Sequence, residues 1–368
     1  MPKSGSNKVS TALYSSVAKK ILSDSISSKP GDCITVETWN PGLDFAREFV
    51  TQARKLGCNP ILVFEDESAY VKGVKSSPAE SQWNMGRHEM ALLSNSDAYV
   101  FIPGPPIATY SKSLSAQEKS RSTAYNSSWY EAAEKARLRG VRLSFGYIGA
   151  DYSKLLGKSI ASIVNHQLNA SLVDFHEIER IGKGVIGILG DDKTAKLSTG
   201  KRAELTFKLR GAHSLEDGIV DSDDIAKGEN MAYLPPGFVS KEIDPASANG
   251  RVYFASSISR LGLIKDSFLE FKEGKLVGFQ SSSLASRKML KEIFESTPES
   301  SRSLTLLTVG LNPKMKFGFG QDRFVRGAIG LAGFGFSIVA HSPSLSVDET
   351  ILVKKGVFQP AQALKITP

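Results

Sequence analysis

The sequence predicts two domains, a doubly wound α/β domain over residues 1–180 and a sheet-rich α+β domain over residues 181–368. Three observations predict this fold class. The chain of 368 residues exceeds the length of one ordinary domain. In its first half, apolar strand-like runs alternate with amphipathic helical runs, as in a parallel sheet covered by helices. Beyond residues 181–184, short β-forming segments dominate instead.

The N-terminal half begins with an amphipathic helix and continues with alternating strands and helices. The predicted helices are residues 8–27, 41–56, 67–74, 129–139 and 152–179, and the predicted strands are 33–37, 60–64, 97–102 and 141–147. The run Pro60–Phe64 is nearly all apolar, which is typical of a strand buried on both faces of a parallel sheet. Residues 111–128 are polar and rich in serine, so the helix after them is expected to begin only at Trp129. No glycine-rich phosphate-binding motif follows these strands, so no dinucleotide or nucleoside triphosphate site is predicted.

The C-terminal half is predicted to form a large, mostly antiparallel sheet. Its predicted strands include residues 203–209, 250–255, 267–271 and 275–279, with a loop over 228–238 and a helix over 283–295. A glycine-rich tail, Leu306–Asp348, follows, in which glycines are interspersed with β-forming residues. Glycine inside strands is typical of bulges, of tight bends, or of close approach by a ligand or another backbone. The tail therefore predicts either an irregular, bulged sheet or the wall of a site.

The composition is that of a globular protein without membrane spans, at 41% hydrophobic and 23% charged residues. No run approaches the roughly 20 apolar residues that a membrane helix needs, and the N-terminus lacks the apolar core of a signal peptide, so a cytoplasmic location is expected. The net charge is +8, but the basic residues are spread along the chain. This pattern predicts a solvated basic surface and no specific nucleic-acid partner. Cys33 and Cys58 are expected to be reduced thiols, too few for a cysteine metal site.

Several segments, taken in order, resemble those of one enzyme family. They are Lys29–Asp32 (KPGD), Ala203–Gly211 (AELTFKLRG), Asn230–Gly250, Leu269–Val277 (LEFKEGKLV) and Val309–Pro313 (VGLNP). In this order they resemble the metal-dependent aminopeptidases of the aminopeptidase T and aminopeptidase S type, whose superfamily includes iron-dependent dihydroxypyridine ring-opening dioxygenases. The resemblance covers nearly the whole chain. It implies the aminopeptidase T fold, with the ancestral site in the sheet-rich domain, and a homodimer that encloses its sites.

The resemblance also implies a dinuclear metal site, whose residues this chain has mostly replaced. Members of the family hold two metal ions with glutamate, histidine and aspartate side chains, and a tyrosine assists catalysis. The matching positions carry Phe238 and Leu306 for the glutamates, Ile329 and Ser346 for the histidines, Phe336 for the tyrosine, and a retained Asp348. Divalent metal ions need oxygen or nitrogen donors, so we expect no metal cofactor here and an apolar cavity in its place. A divalent metal ion bound by other residues is the alternative.

Two groups of polar residues are left as candidates for chemistry. His213 is predicted on a loop after a strand, next to the acid-rich residues 214–224. It could bind one metal ion together with carboxylates, or belong to a solvated acidic loop. His341 and Asp348 flank the turn 342–344. They could act as a general base and its orienting acid, or be an ordinary turn histidine and strand-end aspartate.

A substrate-binding set is predicted around the same cavity. Its members are Lys241, Glu242, Asp322, Arg323, Phe238 and Phe336. In a desolvated pocket, the charged members would form a binding constellation for a small molecule or a peptide. On an exposed surface they would have no such role.

The sequence leaves three hypotheses for function, and whether the chain is an enzyme stays open among them. In the first, it is a diverged member of the family without the dinuclear metal centre, acting as a binding or structural protein or on an altered substrate. In the second, it is a metal-dependent aminopeptidase or other hydrolase with relocated ligands. In the third, it is a mononuclear iron enzyme related to the ring-opening dioxygenases.

Overall fold

The computed structural model describes residues 9–78, 85–104, 114–259, 261–316, 325–334, 336–340 and 342–361. The chain divides into two compact units. The first unit comprises Met1–Leu172 and Gly218–Pro235, and the second comprises Val173–Asp217 and Pro236–Pro368. This division differs from the predicted boundary at residue 180, which lies inside helix α8 (Phe175–Ile188). The chain returns to the first unit because strand β7 (Met231–Leu234) pairs with strand β4 (Arg139–Leu143) of its sheet.

Within the described residues, the first unit is built on a five-stranded parallel sheet with the order β2-β1-β3-β4-β7. The strands other than β4 and β7 are β1 Cys33–Trp39, β2 Asn59–Glu65 and β3 Ala98–Ile102. The helices are α1 Thr11–Lys20, α2 Leu43–Lys55, α3 Glu67–Ser76, α4 Arg87–Ser94, α5 Ala116–Lys135, α6 Ala150–Leu156, α7 Ile160–Ala170 and α9 Ser222–Lys227. The predicted doubly wound α/β domain is thereby confirmed. In this strand order the direction of winding reverses between β1 and β3.

Apolar side chains cover both faces of this sheet. On one side of β1, Ile34 and Val36 are buried together with Phe45 and Phe49 of α2. On the other side, Tyr99 of β3 belongs to a cluster with apolar residues of α4 and α5. Burial of each large side chain contributes about 1.5–3 kcal/mol, so this packing holds the sheet and its helices together.

Three local predictions for the first unit are corrected by the structure. The run Pro60–Phe64 is not buried on both faces, because β2 is an edge strand that leaves Ile61, Leu62 and Phe64 exposed. Helix α5 begins well before Trp129, because Ser115 and Glu118 form a capping box that starts it. Part of the predicted loop 228–238 is strand β7, which lies beside β4.

The second unit contains, within the described residues, a twelve-stranded antiparallel sheet. The main strand order is β14-β13-β12-β8-β6-β5-β15-β16-β17, and the meander β9-β10-β11 joins it where β9 pairs with β6. The strands are β5 Thr194–Thr199, β6 Ala203–Glu216, β8 Phe238–Ile243, β9 Asn249–Ser259, β10 Gly262–Lys272, β11 Lys275–Ser281, β12 Leu304–Gly310, β13 Ile329–Gly333, β14 Phe336–Ala340, β15 Ser344–Val347, β16 Thr350–Lys354 and β17 Val357–Phe358. Helix α10 (Leu284–Ser296) follows β11, with Ser283 as its N-cap. The predicted sheet-rich domain is confirmed.

The described part of the glycine-rich tail supplies strands β12 to β15, and one of its glycines shows why a side chain is excluded. A Cβ atom on Gly333 would lie 2.1 Å from the carbonyl oxygen of Ser303. The backbones of β13 and the start of β12 approach each other there, where the register of their pairing also shifts. At this position the structure favours the bulged-sheet interpretation of the tail.

None of the described helices is long and apolar enough to cross a membrane.

Candidate functional site

Four of the positions that the resemblance singles out lie in the sheet of the second unit and carry apolar side chains, whereas Ser346 and Asp348 are polar. Phe238 opens β8 and Leu306 lies in β12, and both side chains are half-buried. Ile329 in β13 is fully buried, and Phe336 in β14 is 4% exposed. The Phe336 ring packs against Phe334 and Phe254, with ring centroids 5.9 and 6.0 Å away.

Asp348, the retained acid, lies in the turn between β15 and β16. Its backbone has a φ of +47°, and its Oδ1 accepts a hydrogen bond of 3.0 Å from the backbone N–H of Thr194. Its other oxygen pairs with Lys193 Nζ at 2.8 Å. The hydrogen bond from Lys193 lowers the pKa of Asp348 below its ordinary value. The side chain thus joins the turn to β5. His341, Asp322 and Arg323 lie outside the described residues.

Lys241, a member of the predicted substrate-binding set, is a buried cation in the second unit. Its residue is 3% exposed, and its Nζ donates hydrogen bonds to Asp191 Oδ1 at 2.7 Å and to the Gly211 carbonyl at 2.5 Å. Asp191 is largely exposed at 64% of its side chain. The hydrogen bond from Lys241 is the main cause of a lowered pKa at Asp191, and the amide N–H of Gly211 adds to it.

Glu242 and His213 lie beside this lysine. Strand β6 bulges between Leu209 and His213, and the register places His213 opposite Lys241. The sequence predicts His213 on a loop. In the structure it lies in strand β6. Glu242 is exposed, and its Oε2 accepts a hydrogen bond of 3.0 Å from the backbone N–H of Ala212. Lys241 and Glu242 thus both bind the backbone of the bulge, at Gly211 and Ala212.

Two of the acids predicted to accompany His213, Asp221 and Asp224, form a capping box at the start of helix α9. Asp221 caps helix α9, where its Oδ1 accepts hydrogen bonds from the backbone N–H groups of Asp223 and Asp224 at 2.7 and 3.0 Å. Across the part of the chain that the structure describes, no group of three histidine, cysteine, aspartate or glutamate side chains is placed to hold a metal ion. The side chains of Phe238, Leu306, Ile329 and Phe336 offer no donor atom to a metal ion, because each is a phenyl ring or an alkyl chain.

The structure reveals a second constellation, in the first unit, that the sequence reasoning missed. Register across the parallel sheet places Glu37, Phe101, Arg142 and Tyr233 at one level, on neighbouring strands β1, β3, β4 and β7. Side chains at one level of a parallel sheet point to the same face. We call these four residues the Glu37–Tyr233 row. All four are half-buried.

At the β1 end of the row, carboxyl groups pair with tyrosine hydroxyls. Tyr99 donates a hydrogen bond to Glu37, and Tyr125 of α5 donates one to Glu89 of α4. Burial is the main cause that raises the pKa of Glu37 from 4.5 to about 7. The hydrogen bond from Tyr99 lowers this pKa, while the charges of Glu89 and Glu65 raise it.

At the β4 end, aromatic rings surround the guanidinium of Arg142. Its Cζ lies 5.5 Å from the ring centroids of Phe101 and Tyr147 and 5.9 Å from that of Tyr233. Arg142 also donates a hydrogen bond to the hydroxyl of Tyr147. The hydroxyls of Tyr130 and Tyr233 are 2.9 Å apart. Within the described residues, no carboxylate pairs with Arg142, and its electrostatic partners are tyrosine oxygens.

Solved structures with this architecture include two proteins that span almost the whole chain. Wild-type AmpT from Thermus thermophilus matches with a TM-score of 0.65 and 13% sequence identity, covering 94% of this chain and 99% of its own. The chain has the aminopeptidase T fold. The 2,5-dihydroxypyridine dioxygenase from Pseudomonas putida KT2440 matches with a TM-score of 0.60 and 12% identity, covering 97% of this chain and 99% of its own. No protein-family model matches, and no curated protein matches by sequence.

Identities of this size establish the fold and leave function to the residues of the site. The fold alone assigns no function to this chain, since these two of the matching structures bear different enzyme names.

The role of Lys241 is tested by replacing it with methionine, which keeps most of the length of the side chain and removes the ammonium group. We expect Lys241→Met to lower the free energy of unfolding by about 1–2 kcal/mol, because the Gly211 carbonyl loses its hydrogen-bond donor. Asp191→Asn, on the exposed side of the same pair, should cost less than about 1 kcal/mol. Urea denaturation of both variants measures the difference. Equal stability of Lys241→Met and the wild type would show that the lysine does not hold the bulge.

The raised pKa of Glu37 predicts how stability depends on pH. A carboxyl group whose pKa is higher in the folded than in the unfolded state makes the protein less stable as pH rises between the two values. For Glu37 this window runs from 4.5 to about 7. Its contribution to the fall in unfolding free energy is at most about 3 kcal/mol. Glu37→Gln should therefore flatten the decline.

Urea denaturation at about pH 5 and about pH 8 measures this effect. The exposed Glu292→Gln on α10 is the matched control, and it should leave the pH dependence of the wild type unchanged. If the unfolding free energy of Glu37→Gln fell as steeply with rising pH as that of the wild type, the result would contradict a raised pKa at Glu37.

Proposed function

We propose that this chain is a binding protein with the aminopeptidase T fold that lacks the dinuclear metal centre of the aminopeptidases it resembles. The observation that carries the proposal is the chemistry of the matching positions. Phe238, Leu306, Ile329 and Phe336 stand where the resemblance places two glutamates, a histidine and the catalytic tyrosine. None of these four side chains can donate an electron pair to a metal ion.

Packing supports the same proposal. Ile329 and Phe336 are buried, and Phe336 is in contact with two other phenylalanine rings. A side chain that has entered the apolar packing of a sheet contributes to stability and is withdrawn from solvent and substrate. At these two positions the structure favours a structural role.

The polar residues nearby support it as well. Lys241 and Glu242 bind the bulge of β6, and Asp348 joins a turn to β5. A hydrolase with relocated ligands would have to recruit these side chains together with His213 and His341. The described members would first have to give up the hydrogen bonds and ion pairs that they make.

The ligand of such a binding protein is proposed to be a small molecule or a peptide, and the protein is proposed to be a cytoplasmic homodimer, as the resemblance implies. Sedimentation of the purified chain tests the dimer independently of ligand binding.

The proposed loss of the metal centre predicts the outcome of metal loading. Protein incubated with excess zinc or cobalt and then freed of unbound ions should retain far less than one equivalent, as measured by elemental analysis. The same preparation should not cleave aminoacyl p-nitroanilides. The reason is the absence of donor atoms at Phe238, Leu306, Ile329 and Phe336.

Two results would contradict the proposal. Stoichiometric zinc or cobalt together with peptide cleavage would establish the relocated hydrolase, and loss of both in His213→Ala would locate one ligand. One equivalent of iron together with oxygen uptake on an aromatic diol would establish the dioxygenase-like enzyme. Phe336→Tyr, which restores only a hydroxyl, is the matched variant and should remain inactive.

A further inference from the structure

Arg142 carries a positive charge that no described carboxylate offsets. Burying part of a guanidinium costs solvation free energy unless the charge is paired or bound. Here the surroundings are aromatic, and cation–π contacts with three rings compensate for part of that cost. The described hydrogen bonds of Arg142 go to tyrosine oxygens, which leaves the planar, five-donor fork without an anion.

Hydroxyl groups around Arg142 complete a set of donors that an oxyanion could use. Tyr147 accepts from the guanidinium and can donate its own hydroxyl proton. Tyr130 and Tyr233 share a hydrogen bond, and the oxygens of both act on the charge of Arg142. A carboxylate is matched in geometry by the fork of an arginine and is further bound by such hydroxyls.

The opposite end of the row has the opposite electrostatic character. Glu37 lies two strands from Arg142 on the same face, which corresponds to about 10 Å between backbones. Glu89 and Glu65 act on Glu37 through their charges. This end therefore repels a second anion and favours a hydrogen-bond donor or a cation.

Phe101 lies between the two ends, and the row lies where sheets of this kind bind ligands. Phe101, Arg142 and Tyr233 are each one residue from the carboxyl end of their strand, and Glu37 is two residues from the end of β1. In open α/β sheets, ligands bind outside the carboxyl ends of the strands, at the point where winding reverses. Here that point is between β1, which carries Glu37, and β3, which carries Phe101.

We propose that the Glu37–Tyr233 row binds a small aromatic monocarboxylate, with its carboxylate on Arg142, its ring against Phe101, and a hydrogen-bond donor at its far end facing Glu37. A carboxylate fits better than a phosphate group, because one arginine offsets one negative charge and the acids nearby disfavour a second. The inference goes beyond the proposed function, since it concerns the first unit and holds whether or not the second unit binds metal.

The proposal is tested with three probes of similar shape and different charge. 4-(Aminomethyl)benzoate carries a carboxylate and an ammonium at opposite ends of a ring, benzoate carries only the carboxylate, and terephthalate carries a carboxylate at each end. Calorimetric titration of the full chain should give the tightest binding for 4-(aminomethyl)benzoate and the weakest for terephthalate. We expect successive steps of about tenfold, the factor that corresponds to ~1.4 kcal/mol.

Substitutions in the Glu37–Tyr233 row test whether the probes bind there. Arg142→Gln should weaken binding of 4-(aminomethyl)benzoate by at least about tenfold, and Arg142→Lys, which keeps the charge without the planar fork, should bind with an intermediate affinity. Glu37→Gln should reduce the preference for 4-(aminomethyl)benzoate over terephthalate. Arg180→Gln, which removes the same charge from an exposed position on α8, is the control and should bind like the wild type. Circular dichroism confirms that each variant is folded.

Three outcomes would overturn the proposal. They are no saturable binding of any of the three probes, equal affinity for all three, or unchanged binding in folded Arg142→Gln and Arg142→Lys. Metal bound in the second unit would leave this test unaffected, so failure here and failure of the proposed function are distinguishable.

Discussion

The sheet of the second unit depends on one bulge in strand β6. Before the bulge, residues 203–208 of β6 pair with β5, and two of them pair with β9; after it, residues 213–216 pair with β8. The strand thus joins two parts of the sheet and changes partners within a few residues. Lys241 and Glu242 hold the bulge from β8 through hydrogen bonds to Gly211 and Ala212. The sequence predicts that Lys241 and Glu242 bind a substrate. In the structure, both side chains bind the backbone of the bulge.

This arrangement is compatible with the apolar side chains of Phe238, Leu306, Ile329 and Phe336 in the sheet of the second unit. The fold depends on strand register and on the apolar faces of the sheet, and neither requires a metal ion. Ile329 and Phe336 add apolar contacts within the sheet. The described polar groups Lys241, Glu242 and Asp348 bind the backbone of a bulge or a strand. In the first unit, the guanidinium of Arg142 lies among aromatic rings and tyrosine oxygens, and no carboxylate among the described residues pairs with it.

Much of the fold could be predicted from the sequence, since alternating strands and helices in one half and short β-forming segments in the other are local signals. Strand β7 could not, because Met231–Leu234 is short and its partner β4 lies about ninety residues earlier in the chain. The start of α5 was missed because the capping residues Ser115 and Glu118 lie within a serine-rich stretch without apolar periodicity. The edge position of β2 depends on strand order, which apolar composition does not reveal.

The candidate site was less predictable from the sequence, because it too depends on how the strands pair. The burial of Lys241 has a sequence signal, because it alternates with Val239 and Ile243, which face the interior. The Glu37–Tyr233 row has none, because it exists only through register across four strands. Glu37 and Arg142 are single polar residues at the ends of apolar strands, and their level in the sheet cannot be read from either strand alone.

We propose that Ile329 and Phe336, at positions where the resemblance implies a metal ligand and the catalytic tyrosine, pack the sheet of the second unit. The free energy of unfolding of Phe336→Ala tests this claim most directly. If Phe336 is a packing residue, its removal leaves a cavity beside Phe254 and Phe334 and lowers the unfolding free energy by about 3–5 kcal/mol. An unfolding free energy equal to that of the wild type would contradict the claim, because it would show that the ring lines an open site and does not support the sheet.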